Sequence, residues 1–167
     1  MNKLALVLAL FLSPVLHASS SFPRLSLYSL KGEQRSLPSG KKELVFVGCK
    51  GGVRQALTRW YQAFRDYQDK VGCLNVIVVP VFPSFMANRF LRPSLMALIR
   101  QRIPEHLSHH VGVLFSNSDE TAALFQLSQG ELENLQVFLV DETGTILWQA
   151  SGGPTSQHLH QLKQLIQ

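Results

Sequence analysis

The stretch Glu43–Lys70 constrains this chain more than any other. It opens on Leu44-Val45-Phe46-Val47, a short apolar run with β-branched and aromatic members, which suits a strand buried on both faces. Gly48, Gly51 and Gly52 then permit a sharp turn, with Cys49 and Lys50 between them. From Val53 the period changes. Apolar residues fall at Val53, Ala56, Leu57, Trp60, Phe64, Tyr67 and Val71, the spacing of a helix with one face in a core. Gly72 suits its C-terminal cap. The pattern predicts a buried strand that hands over to a helix at Val53–Lys70 through a Gly-rich turn holding one cysteine.

Before this unit, Arg24–Leu30 alternates apolar and polar and reads as an edge strand. Lys31-Gly32-Glu33 is a turn, Gln34–Leu37 returns as a second strand, and Pro38-Ser39-Gly40 ends it. After the helix, Leu74–Phe82 is the most strand-like run in the chain, with Pro80 near its end where a missing N–H does least harm. Strand, helix and strand make a βαβ unit with parallel strands.

Ser84–Ile103 is helical in composition, and Pro93 splits it and opens the second helix. Arg89, Arg92, Arg100 and Arg102 make it the most basic region, either a solvated face or a docking surface for an acidic partner or lipid headgroups. Glu105–His110 reads as a surface loop. His106 and His110 are spaced to share a helix face, but no cysteine or carboxylate pair completes a metal set, so no metal is assigned. Val111–Phe115 is a short strand. Asn117-Ser118-Asp119-Glu120 starts a helix that runs to about Leu127. Gln136–Val140 is a strand, Asp141–Gly144 a hairpin turn, and Thr145–Ala150 the return, with Ile146 and Trp148 on one face. Pro154 opens a last helix with Leu159, Leu162 and Ile166 on one side. No internal repeat or linker interrupts the chain.

The N-terminus has a different character. Lys3, the apolar run Leu4–Leu12, the break at Ser13-Pro14 and small residues at Ala18, Ser19 and Ser20 resemble a secretory signal peptide. The apolar core is shorter than the ~20 residues a membrane span takes. Cleavage after Ala18 or after Ser20 fits, and an uncleaved anchor over residues 4–18 is the alternative. Export places the protein in the periplasm or outside the cell. Taking residues 1–18 as the signal leaves 149 of the 167 residues (19–167), one domain with room for a real core. Loss of Lys3 takes the formal charge from +5 to +4, and the positive charges are dispersed. No clustered basic face with interleaved aromatics exists, which excludes a nucleic-acid role. Weak attraction to an anionic membrane surface remains open.

Two cysteines in an exported chain suggest a disulfide. An 18-residue helix between them, about 27 Å long at ~1.5 Å per residue, holds Cys49 and Cys73 too far apart for the ~7 Å that a disulfide allows. Cys73 reads as a small buried hydrophobe. Trp60 and Trp148 read as core.

The element order, a β-hairpin, a βαβ unit, a helix–strand insert, a second hairpin and a final helix, resembles the thioredoxin-like fold: α/β, three layers, a central mixed sheet, an N-terminal hairpin and a helical insert. The insert resembles the peroxiredoxin and thiol-reductase branch. Phe138–Ile146 resembles the last hairpin of such proteins. Its continuation, Ile146-Leu147-Trp148-Gln149-Ala150-Ser151-Gly152, is similar to the C-terminal signature of the mitochondrial ATP synthase assembly factor family. Leu44–Val47, Lys50, Leu57 and Trp60, and the helical region Phe85–Glu105, match the same family. The likeness covers most of Glu43–Leu165. It implies a thioredoxin-like protein that helps assemble a membrane complex, binding other proteins without a cofactor.

The resemblance also marks departures from a redox site. Gly52 stands three residues after Cys49, where a dithiol enzyme carries the second sulfur that releases its mixed disulfide. The cis-proline of redox-active relatives aligns near Leu135, and Glu131–Val140 holds no proline. A cis bond there without proline costs ~3 kcal/mol. Peroxidase chemistry wants Pro or Thr three residues before the cysteine, and Phe46 stands there. Two readings of Cys49 remain: a small residue filling the turn, or a single reactive thiol whose pKa is lowered by the helix N-terminus, Lys50 and Arg54. The second makes the chain a single-cysteine thiol–disulfide oxidoreductase or peroxiredoxin-like enzyme. Metal carriage by Cys49 and the histidines is a third, weaker option.

Overall fold

The computed structural model describes residues 20–48, 53–64, 74–78, 90–103 and 105–166. Seven strands form one mixed sheet: β1 (Leu25–Ser29), β2 (Gln34–Leu37), β3 (Glu43–Gly48), β4 (Leu74–Val78), β5 (Val111–Val113), β6 (Gln136–Val140) and β7 (Ile146–Ser151), in the order β2-β1-β5-β4-β3-β6-β7. β3, β4 and β5 are parallel, and β6 runs antiparallel to β3 with Val47 opposite Gln136. Four α-helices accompany them among the described residues: α1 (Val53–Phe64), α2 (Arg92–Arg102), α3 (Ser118–Phe125) and α4 (Ser156–Ile166).

The pleat of β3 sorts the core into two layers. Leu44 and Phe46 face α1, α2 and α4 through Trp60, Phe64, Met96 and Leu162. Val45 and Val47 face the other way, toward Phe125 of α3 and Leu25, Leu27 and Phe22. A strand with both faces covered reads as a continuous apolar run, as this one does. Glu43 begins it and is also buried; its carboxylate accepts from Ser39 N at 2.8 Å and Ser39 Oγ at 3.1 Å. Gly112 in β5 is a close approach: a Cβ there would lie 2.8 Å from Leu27 Cδ1.

Several expectations are corrected. β1 is not an edge strand. β5 pairs along it, Tyr28 opposite Val113, and leaves β2 at the edge. Glu105–His110 forms a 3-10 helix instead of a loop. α3 stops at Phe125, two residues early, because Gln126 turns left-handed at φ 55° and its N–H bonds to the carbonyls of Ala122 and Ala123. Ile146 and Trp148 serve opposite layers. A bulge between Leu139 and Val140 sets Trp148 against Leu139 and Ile146 against Val140, so Trp148 joins one core and Ile146 the other. Pro154 lies outside α4; Thr155 caps it, its Oγ1 accepting from His158 N at 3.1 Å.

The α3 start follows the sequence: Asn117 Oδ1 accepts from Glu120 N at 2.8 Å and the Glu120 side chain returns to Asn117 N, a complete capping box. The expected continuations of α1 to Lys70 and of β4 to Phe82, and a helix from Ser84 to Arg89, lie outside the described residues.

The final hairpin turn is built on Asp141. Its Oδ1 accepts from Thr143 Oγ1 at 2.7 Å, Thr143 N at 2.8 Å and Thr145 N at 2.9 Å, while Gly144 supplies the left-handed residue at φ 88°. The bond from the Thr143 hydroxyl, and then the Thr145 amide, hold the Asp141 carboxyl below the ordinary carboxylate range, since both favour the charged form. A lowered folded-state pKa contributes stability that is full above the unfolded pKa of ~3.9 and is lost as pH falls through the folded value. Asp141 is therefore expected to titrate below ~3.9 by carbonyl-detected NMR, and Asp141→Asn to flatten the acid limb of the stability–pH curve below that value.

Candidate functional site

The βαβ unit places a candidate site at the carboxyl end of β3, where the chain turns into α1. Gly48 ends β3, and a Cβ on it would strike the Val53 side chain at the start of α1. Its role is thus close approach, not left-handed backbone: it is absent from the glycines with positive φ, which are Gly32, Gly40, Gly144 and Gly152 among the described residues. Cys49 and Lys50, the predicted thiol and its neighbouring cation, lie outside the described residues, as does Cys73. Arg54, the third predicted residue, stands exposed in the first turn of α1.

Leu135 falls beside the end of β3. The antiparallel register sets Val47 opposite Gln136, so the residue before β6 lies one position further, alongside Gly48. Leu135 is buried at 1 % exposure, and the peptide before it is trans; the cis bond found among the described residues is Leu37–Pro38. The backbone is held in place differently. Leu135 O accepts from Gly152 N at 2.7 Å, and Gly152 O accepts from the indole of Trp60 at 2.8 Å. One glycine, left-handed at φ 83°, thereby ties the middle of α1 to the residue preceding β6.

Trp60 is the packing centre behind the site. It is fully buried, stacks on Phe64 at 5.7 Å and on His158 at 6.0 Å, and meets Phe46 and Trp148 edge-on at 6.1 Å each. Trp148 in turn donates to Gln161 Oε1 at 3.0 Å. Trp60 is therefore a core residue and Trp148, half-buried, packs against the core, with each polar tip satisfied. Gln136 is buried too. Its amide nitrogen donates to Glu131 O at 2.6 Å and Ser151 Oγ at 3.0 Å, locking the 3-10 turn at Glu131–Glu133 against β7.

Residues that sequence reasoning passed over are Gly152, Leu135's carbonyl, Gln136 and His158. Ser151-Gly152-Gly153 carries no apolar period that would signal such a contact. Among the described residues no three of His, Cys, Asp and Glu gather to hold an ion; the His106 side chain lies outside that description.

The Trp60 bond gives a direct expectation. Trp60→Phe keeps most of the ring packing but strips Gly152 O of its donor, a cost of about 1–3 kcal/mol. Urea unfolding should show a lower midpoint at unchanged slope.

No protein-family model and no curated protein matches the chain. Solved structures do. One is named as a candidate thiol:disulfide interchange protein DsbE from Chlorobium tepidum, at 20 % identity and TM-score 0.56, covering 89 % of this chain and 94 % of that one. A thiol peroxidase from Chromobacterium violaceum aligns at 14 % identity and TM-score 0.54, over 89 % and 84 % of the two chains. BsSco, a member of the Sco family of cytochrome c oxidase assembly proteins, aligns at 14 % identity and TM-score 0.56, over 89 % and 94 %. At these identities the likeness speaks for architecture, and with the sheet order already described it leads to one statement: the chain has the thioredoxin-like fold.

Proposed function

We propose that this is an exported thioredoxin-fold protein that binds other proteins without dithiol catalysis, as an assembly factor for a membrane complex. The observation that carries the reading is the makeup of the site: Gly52 stands where the second sulfur of a dithiol would be, and Leu135, in a trans peptide, stands in the place of the substrate-binding cis-proline. A mixed disulfide formed at Cys49 has no second cysteine at Cys-x-x-Cys spacing to resolve it. Two supports come from outside the site. The Trp148–Gly152 segment resembles the ATP synthase assembly factor family, and one fold neighbour is named for cytochrome c oxidase assembly, so the fold serves assembly as well as thiol exchange.

Export rests on the signal-like N-terminus, which lies outside the described residues. Among the described residues no helix is long and apolar enough to cross a membrane. Ser20 O accepts from Ile146 N at 2.9 Å, and Ser21 pairs with Thr145. Cleavage after Ser20 would remove that carbonyl, so cleavage after Ala18 is the better fit. Mass spectrometry of the protein recovered from a periplasmic extract is expected to give an N-terminus at Ser19; an intact Met1 would support the anchored form.

The second reading is a single-cysteine thiol enzyme. Its support is the exposed cation Arg54 in the first turn of the helix that follows Cys49, together with fold neighbours named for thiol:disulfide exchange and peroxidase activity. One assay separates the two. In insulin reduction with glutathione as the external thiol, the chain is expected to show no turnover above the glutathione background. Turnover that disappears in Cys49→Ser would replace the binding reading with the enzymatic one.

A further inference from the structure

Lys31, Arg35 and Arg100 converge on a groove on the β1–β2 flank of the sheet, with β5 and β4 lying between β1 and β3. β1 runs antiparallel to β5, with Ser29 opposite Gly112, so the end of β1 lies level with the start of β5. The groove encloses about 240 Å³ and is floored by Leu30 and Ile103, with Glu105 on its rim. Leu30 is buried and Ile103 half-buried, while the three cations and Glu105 are exposed.

Backbone carbonyls hold the two arginines in place. Arg35 Nη1 donates to His109 O at 2.9 Å. Arg100 donates to Leu30 O from Nε at 3.1 Å and also from Nη2. Neither guanidinium has a carboxylate partner among the described residues. A guanidinium carries five donors, so each keeps unspent N–H groups with its position already fixed. Fixing side chains before binding removes part of the entropy cost of binding. Three formal positive charges face one carboxylate, beside an apolar floor. The volume is below the ~300–1,000 Å³ typical of cofactor and drug-sized sites, which suits a single side chain and its neighbour.

We propose that this groove binds an acidic segment of a partner protein: a Glu or Asp carboxylate pairs with Arg35 and Arg100, and an adjacent apolar side chain rests on Leu30 and Ile103. Lys31 adds longer-range attraction. The inference rests on the protein-binding reading above and names the chemistry of the partner. It uses neither Cys49 nor the β3–α1 turn.

The test is an NMR titration of the full chain with the blocked peptide Ac-Glu-Leu-Glu-amide, with Ac-Gln-Leu-Gln-amide as its neutral control and inorganic phosphate as a third probe. The acidic peptide is expected to shift amides around Leu30–Arg35 and Ile103–His109, and to bind more weakly as salt rises. Losing a charge-assisted bond costs enough that Arg35→Gln should weaken binding about tenfold, and Glu105→Gln should tighten it. Should Arg35→Gln not fold, Lys31→Gln in the exposed turn gives a readout of the same sign. Equal binding of the Gln peptide, indifference to these substitutions, or no shifts at all would overturn the proposal. Phosphate producing the same shifts at lower concentration would assign the groove to a small anion and overturn it as well. Insulin turnover by the chain would defeat the function reading and leave this titration standing; a silent titration without turnover would defeat the groove alone.

Discussion

The burial of β3 on both faces is the constraint on which the rest of the structure depends. Leu44, Val45, Phe46 and Val47 are all at 1 % exposure or less, and each face needs its own cover. Trp60, Phe64, Met96 and Leu162 cover one; Phe125, Leu25, Leu27 and Phe138 cover the other. Four apolar side chains at roughly 1.5–3 kcal/mol each for full burial make this strand costly to lose. Because β3 is fixed on both faces and on both edges, by β4 and β6, its last residue is fixed as well. That residue is Gly48, and its contact with Val53 sets where α1 begins. The end of β3 and the start of α1 are thus both consequences of core packing.

Periodicity made much of this legible. The change from a continuous apolar run to a 3.6-residue spacing at Val53 located β3 and α1. The Asn117–Glu120 capping box located α3, and the Asp141–Gly144 turn the last hairpin. What remained hidden was non-local. Whether β1 is an edge strand depends on β5, which lies more than eighty residues away and is only Val111–Val113. The bulge at Leu139 and Val140 leaves no mark on an alternating pattern, yet it sends Ile146 and Trp148 to different layers. A 3-10 helix at Glu105–His110 has too short a run for any period to declare itself.

The site was legible in its chemistry and not in its support. Cys49 without a companion, and the lack of proline near Leu135, can be read straight from the sequence. That a glycine carbonyl would receive the Trp60 indole while its own amide bonds Leu135 cannot, because Gly152 is 92 residues from Trp60 and carries no side chain to signal the contact. Trp60, Trp148 and Gly152 meet in one cluster.

The shortness and polarity of β2 have a further implication. An unpaired sheet edge is a template on which another chain can add a strand. β2 has four residues, three of them exposed, and its one charged side chain folds away to the His109 carbonyl. So brief an edge gives an incoming backbone few ladder bonds. On this flank of the molecule a partner has to be recognised by its side chains, through shape and charge, and the sheet is shielded from growing by accretion.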